Sequence, residues 1–456
     1  MQKQKHPSDT MAQSQSFTVV EPGDAKPKTF IIVGGGVFGL STVIWLLNRY
    51  PDCTIILVDF TELSNPKAAS HDISKILRDD YPNVCYAPLA IEAMGYWRTD
   101  SLFKNFYHEV GVLRADPDSH NEKAQSTHRS LGHDSGASWM TPDEVRAAWP
   151  AFGTADFEGL DRVRYNPRCG WVEAANSLEV VRQHVINAGA RLVVGEVRTL
   201  LFDTNGDCTG VRLDNGDELN GTVVLCTGAR TAALLAESAP DRKEIHAAHR
   251  LIPTGAVSFT LKAEGEQKEK FEGIPVLKNT LPAVKGESMS MTTDGTLKFN
   301  CDMSFIYNQF HAPTDTAMSL APTDRHLTEW TTEENIPRYL KDRAYGTLRG
   351  LYGDEMRGKT IDKYRVCWDA TTPKHDFLIT PHFQCRNLFI ATGGSFHGWK
   401  FFPVIGKYVV QMLHGELEPK YAEIWGWDRK VDGQVANSTY NIEGDLGEWI
   451  REEEKQ

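Results

Sequence analysis

The short run Thr29-Phe-Ile-Ile-Val33 leads straight into Gly34-Gly35-Gly36-Val37-Phe38-Gly39, and no other stretch constrains the fold of this chain as tightly. A β-branched apolar run of this length reads as a buried parallel strand. Leu40 to Arg49 continue with helical spacing. Cys53-Thr-Ile-Ile-Leu-Val58 then makes a second strand that ends at Asp59, twenty residues after Gly39. Strand, G-x-G-x-x-G, helix, strand and acid in that order are the parts of a dinucleotide-binding unit. Gly34 permits the tight turn, Gly36 lets the backbone approach a pyrophosphate, and Gly39 lets helix and strand pack closely. The helix start offers unpaired N–H groups to the anion, and Asp59 accepts from ribose hydroxyls. The motif alone suits NAD or FAD. Its place near the start of a long chain favours FAD.

Composition sets the limits around that unit. The 456 residues, 37 of them glycine, suit an α/β protein of two domains or one large elaborated domain. With 49 Lys and Arg against 61 Asp and Glu, the formal charge is −12, which argues against non-specific grip on nucleic acid or an anionic membrane. No run of about 20 uninterrupted apolar residues is present, as a spanning helix needs. Eight cysteines lie scattered without CxxC spacing, giving neither a disulfide framework nor a metal cluster. Residues 1–28 read as a polar, disordered leader without a secretory core. The chain ends in Lys455-Gln456 and so lacks the usual peroxisomal tripeptide; an intracellular, cytoplasmic protein is expected. The sequons at Asn220 and Asn437 are then chance matches.

Further along, Ala87 to Trp97 and Asn176 to Asn187 have helical patterns, and Asp116 to Ser138 reads as an exposed loop. Asn205-Gly206 and Asn215-Gly216 are hairpin signals between apolar runs. Thr222 to Cys226 returns to a buried parallel strand. Val257 to Leu261, Ser288 to Thr292 and Thr296 to Asn300 alternate in the manner of an antiparallel sheet. Thr328 to Leu351 reads as largely helical with a break at Pro337. Asn387 to Ala391 forms a strand that runs into a second glycine turn, Thr392-Gly393-Gly394-Ser395, more than 350 residues after the first. A second backbone turn on the same ligand suits a long cofactor such as FAD.

Five blocks, IIVGGGVFGLS, ASHDISKILRDDY, GTLKFNCD, RVCWDATTPKHDFLI and FIATGGSFHGWKFFPVIGK, occur in the order of a known family. From about residue 29 to residue 425 the chain resembles the D-amino-acid-oxidase-like flavoenzymes, in the branch of monomeric sarcosine oxidase, saccharopine and pipecolate oxidase, and fructosyl amino acid oxidase (amadoriase). The resemblance implies an FAD oxidase of the C–N bond in a secondary amine or N-substituted amino acid, with an imine product and oxygen reduced to hydrogen peroxide. Cys367 falls where this branch joins the flavin through an 8α-thioether. Lys298 matches the lysine that activates oxygen, and Lys400 matches a lysine near the pyrimidine edge of the ring. Val37, Phe38, Ser70, Val197, Gly394, Phe396, Gly398 and Trp399 fall at cofactor contacts. His71, Lys75 and Arg78, read as sharing one face of a helical turn capped by Ser70 or Asp72, would meet the ring or the substrate carboxylate, as would His397.

The sequence departs from the amadoriase pattern at Phe299-Asn300-Cys301-Asp302, where an Asp stands for the expected Glu, and in the acidic residues after Val431. A small secondary amine or N-substituted amino acid is therefore the expected substrate. Oxidation of fructosyl amino acids, a biosynthetic oxidation whose product cyclises, and a dehydrogenase handing electrons to a partner are the alternatives. The implied fold is a Rossmann-like FAD-binding domain (29–103, 160–247 and 352–425) with an inserted, mainly antiparallel substrate domain (104–159 and 248–351) and an acidic tail (426–456). The implied partners are a small amine and oxygen, without nucleic acid or membrane, and the protein is expected to be a monomer.

Overall fold

The computed structural model describes residues 28–429 and 440–455, so the leader and the sequon at Asn437 lie outside the described residues. A six-stranded sheet runs in the order Leu378–Pro381, Leu388–Thr392, Thr222–Leu225, Thr29–Val33, Thr54–Asp59, Arg191–Val194. All neighbours are parallel except the edge strand Leu378–Pro381. Parallel strands joined by crossovers are covered on both faces, and Thr29–Val33 shows it. Phe30 and Ile32 pack with Leu40, Val43 and Leu46 of the helix Val37–Arg49. Ile31 and Val33 pack on the other side with Leu200, Val211 and Leu234. Truncating Ile31, which is fully buried, to Ala would cost about 2–5 kcal/mol.

A second, ten-stranded sheet is mainly antiparallel. Its long strand Ile252–Lys262 pairs with Thr296–Cys301 on one side and Lys363–Thr371 on the other. Strands from segments assigned to the cofactor portion thus enter this sheet: Lys363–Thr371, and Val163–Asn166 beside Val112–Ala115. The acidic end of the chain joins too, since Ile442–Asp445 pairs with Ser304–Ile306. The two Asn-Gly turns connect a three-stranded antiparallel sheet, Val197–Phe202, Cys208–Leu213 and Glu218–Asn220. Among the described residues no helix is long and apolar enough to cross a membrane.

Four local expectations are corrected. Ser74–Leu77 is a strand paired with Gly170–Glu173, so His71, Lys75 and Arg78 do not share a helical face. Asp116 to Ser138 is not all loop, because His120–Ser130 is helical and buries Asn121, Thr127 and His128. The strand expected at Ser288 to Thr292 is Gly286–Ser288. The helix expected from Thr328 starts at Arg338, because Pro337 stands at its start and only short 3₁₀ turns precede it.

Candidate active site

A cavity of about 700 Å³ runs from the first glycine turn to the face of the large sheet. At the first end the residues leave room that only glycine can leave. Gly34 has φ +101°, and a Cβ on it would sit 2.6 Å from the Cys226 carbonyl oxygen. A Cβ on Gly39 would fall 1.9 Å from the Gly34 oxygen, so Gly39 serves packing behind the cavity wall. A Cβ on Gly36 would come 2.7 Å from the Ser70 hydroxyl oxygen, which accepts from the Val37 N–H at 3.0 Å. Ser70 therefore satisfies the start of the helix Val37–Arg49 from across the cavity. Val37, Phe38 and Val197 line the same end. So does Asp59, which is buried and ion-paired with the buried Arg182 guanidinium, fixing its carboxylate.

At the middle of the cavity, ASHDISKILRDD supplies a buried charge cluster. The Asp72 carboxylate lies 2.7 Å from Lys298 Nζ, 2.8 Å from Lys75 Nζ and 4.0 Å from the Arg365 guanidinium. One negative charge thus faces three positive ones. The remaining hydrogen bonds of Arg365 go to the carbonyls of Pro66, Ala68, His71 and Thr328. Burial pushes the Lys298 ammonium down to about 8, against the pull of Asp72. Burial acts the same way on Lys75, but there Asp72 prevails and the group rises. Burial and then Arg365 lower His71, whose Nδ1 lies 3.0 Å from the Ser64 hydroxyl. Lys75, His71 and Cys367 line the cavity, whereas Lys298 sits behind the wall, donating also to the Ser74 carbonyl at 2.9 Å. Cys367 is buried and opposite Ala256 in the large sheet.

The second glycine turn closes the other side. Gly393, Ser395 and Phe396 all have positive φ (79°, 46° and 59°), two of them without glycine's freedom. The Asp369 carboxylate holds this backbone by accepting from Phe396 N–H at 2.8 Å. Gly394, Gly398 and Trp399 line the cavity beyond it, and Trp399 Nε1 donates to the Ser70 carbonyl at 2.8 Å. His397 Nε2 lies 2.7 Å from the His375 carbonyl, which can only accept, so Nε2 carries the proton and Nδ1 accepts from Tyr81 at 3.1 Å. Burial, then the charge of Lys400, keep this ring neutral by lowering it well below the usual range. Lys400 Nζ donates to the Tyr81 hydroxyl at 3.0 Å and the His397 carbonyl at 2.7 Å. Burial, then Arg78, depress it strongly. Arg78 stacks on the Tyr81 ring with 4.6 Å to the centroid. Among the described residues, no carboxylate lies within ion-pair distance of Arg78 or Lys400.

The sequence pattern of the FAD dependent oxidoreductase family matches residues 29–412. The chain belongs to that family. It is 25% identical to L-saccharopine oxidase of Schizosaccharomyces pombe over 88% of this chain and 93% of that one. It is 23% identical to monomeric sarcosine oxidase of a Bacillus species, over 85% of this chain and 93% of that one. A solved fructosyl peptide oxidase superposes with a TM-score of 0.78 over 93% of this chain and 98% of that one, at 22% identity, and so shares the fold. FAD dependence follows from this family, and the geometry suits it. The cavity is long, both of its glycine turns would be filled by a side chain, and the buried cluster around Asp72 carries excess positive charge beside it.

For this FAD-dependent family member, sequence reading missed five residues that build the site. Asp72 appeared only as a helix cap, Tyr81 closed the ASHDISKILRDDY block without a role, and Arg182 carried no motif. Glu287 and Tyr440 also line the cavity, with the Tyr440 ring stacked on Phe396 at 4.6 Å. The strand expected at Ser288 to Thr292, before the one at Thr296 to Asn300, was the nearest signal for Glu287, which lies on Gly286–Ser288. Nothing in the acidic composition after Val431 pointed to Tyr440.

Proposed function

We propose that this protein oxidises the C–N bond of a carboxylate-bearing secondary amine or N-substituted amino acid, with oxygen as the final acceptor. The observation that carries this is the pair Arg78 and Lys400, two cations without a carboxylate partner, facing the cavity that Cys367 lines. Taken with the curated relatives named for saccharopine and sarcosine, they support a substrate carboxylate at this point. A substrate carboxylate beside Lys400 would favour its charged form against the burial that depresses it, making paired recognition favourable.

We read the six-stranded sheet as Rossmann-like, with Asp59 on the ribose and the start of the Val37–Arg49 helix on the pyrophosphate. Bound FAD would supply the redox chemistry, as acceptor for the hydride from the carbon beside nitrogen and donor of the two electrons that reduce oxygen to hydrogen peroxide. Cys367 would tether it, and Lys75, Gly394, Phe396, Gly398 and Trp399 would contact it. Lys298 is the candidate for oxygen activation, a buried ammonium able to stabilise an oxygen anion. Neither His397 nor Glu287 is set up as a strong base. His397 has both nitrogens engaged, and the charge of Lys278 helps hold Glu287, against its burial, down at about 2. The substrate amine therefore reacts in its neutral form. The protein would act as a monomer in the cytoplasm.

Anaerobic mixing of the holoenzyme with sarcosine, pipecolate and saccharopine tests the reading. Bleaching of the oxidised flavin band by at least one of them is expected. If none bleaches it, the proposed reaction is wrong.

A further inference from the structure

A second buried charge group lines the cavity from the large sheet. Glu287 lies on Gly286–Ser288, beside Thr296–Cys301 in the large sheet. Its carboxylate accepts from Lys278 Nζ at 2.9 Å, Asn300 Nδ2 at 2.7 Å and the Tyr440 hydroxyl at 3.1 Å. Lys278 is shared with the buried Asp302, so one positive charge serves two carboxylates. Asp302 Oδ2 finds no hydrogen-bond partner. Arg114, which also lines this wall, is already neutralised by Asp116 at 2.7 Å. Lys278, Glu287, Asn300 and Tyr440 all face the cavity, and with Asp302 behind them the group sets two carboxylates against one ammonium.

We infer that Glu287 is a specificity-determining residue that receives a second, non-reacting ammonium of the substrate, making a diamino carboxylic acid the preferred class. This rests on the proposed C–N oxidation and deepens it. The reacting nitrogen is a poor candidate for this contact. It needs its lone pair to expel hydride, and a firmly ionised carboxylate beside it would hold it protonated. A spectator ammonium has the opposite requirement and gains from the same field. The substrate would then set its carboxylate on Arg78 and Lys400 and its second ammonium on Glu287, all of which line the one cavity.

Two matched pairs of compounds test this on the holoenzyme. N-methyl-lysine against N-methyl-norleucine places the ammonium on the side chain. N-(5-aminopentyl)glycine against N-hexylglycine places it on the nitrogen substituent. In at least one pair the ammonium-bearing member should have kcat/KM about tenfold higher or more. In Glu287→Gln that ratio should fall towards unity, carried by KM, and Glu287→Asp should recover part of it. Equal ratios in the wild type and Glu287→Gln would overturn the inference while C–N oxidation stands. Failure of all four compounds, and of sarcosine, pipecolate and saccharopine, to reduce the flavin would instead remove the proposed reaction. Glu287→Gln leaves Lys278 paired with Asp302, and retention of the cofactor spectrum confirms that it folds.

Discussion

The Asp72 carboxylate and the Lys298 ammonium, 226 residues apart in sequence, meet at 2.7 Å with both side chains almost wholly out of solvent. A buried pair of this kind is weak evidence for net stability, but breaking it exposes the uncompensated partner to the full cost of burial. Asp72→Ala should therefore lower the unfolding free energy by about 3–5 kcal/mol. Adding Lys298→Met should recover part of that loss. Urea denaturation of both variants measures it.

Burial of the same lysine sets a pH dependence. The oxygen activation proposed for Lys298 would need its protonated form, whose pKa burial has brought down from 10.5 to about 8. The rate of flavin reoxidation should fall as pH rises through about 8 rather than near 10.5. Lys298→Met should be slow and flat across that range, with flavin reduction by the amine retained. Stopped-flow mixing of reduced enzyme with oxygen over the pH range decides it.

Cys367→Ser should release the flavin. Acid precipitation of the wild type should leave the yellow colour in the pellet, and of the variant in the supernatant, read by absorbance. Colour in the wild-type supernatant would exclude the thioether.

In that unlinked variant, Gly36→Ala should weaken FAD binding by about tenfold or more, since its Cβ would meet the Ser70 oxygen at 2.7 Å. Flavin fluorescence titration gives the dissociation constant. Gly95→Ala, whose Cβ meets nothing within 4 Å, is the control for an added methyl that touches nothing.

Tyr81→Phe removes the hydroxyl that joins Lys400 to His397. Lys400 would lose one of its two acceptors while Arg78 keeps the ring it stacks on, and KM for a carboxylate substrate should rise about fivefold to tenfold, with kcat less affected. An amine without a carboxylate should not show the increase. Steady-state peroxide release with both kinds of substrate separates the two.

Asp302 titrates at about 6 instead of 3.8, because burial outweighs Lys278. The folded protein therefore holds a proton that the unfolded chain has released between those values. Stability falls with rising pH across that window. Asp302→Asn should flatten the slope there in a pH series of thermal unfolding.

What the sequence disclosed and what it hid follow from the range of the interactions. Thr29–Val33, its glycines and Asp59 form a continuous local pattern whose meaning needs no distant partner, and the strand at Leu388–Thr392 was legible for the same reason. The ASHDISKILRDD block misled because charges at intervals of four and three imitate a helix, while pairing with Gly170–Glu173 makes Ser74–Leu77 a strand. The helix His120–Ser130 was hidden because it buries Asn121 and His128 in place of an apolar stripe. Asp72 is near Lys75 in sequence, but its contact with Lys298, like that of Glu287 with Lys278, joins different segments, which spacing along the chain does not record.

The position of Tyr440 has a consequence for biosynthesis. Its ring stacks on Phe396 and its hydroxyl reaches Glu287, and the strand after it pairs with Ser304–Ile306. The chamber therefore stays unfinished until almost the whole chain has left the ribosome, so nascent fragments that already carry the glycine turns would lack this wall.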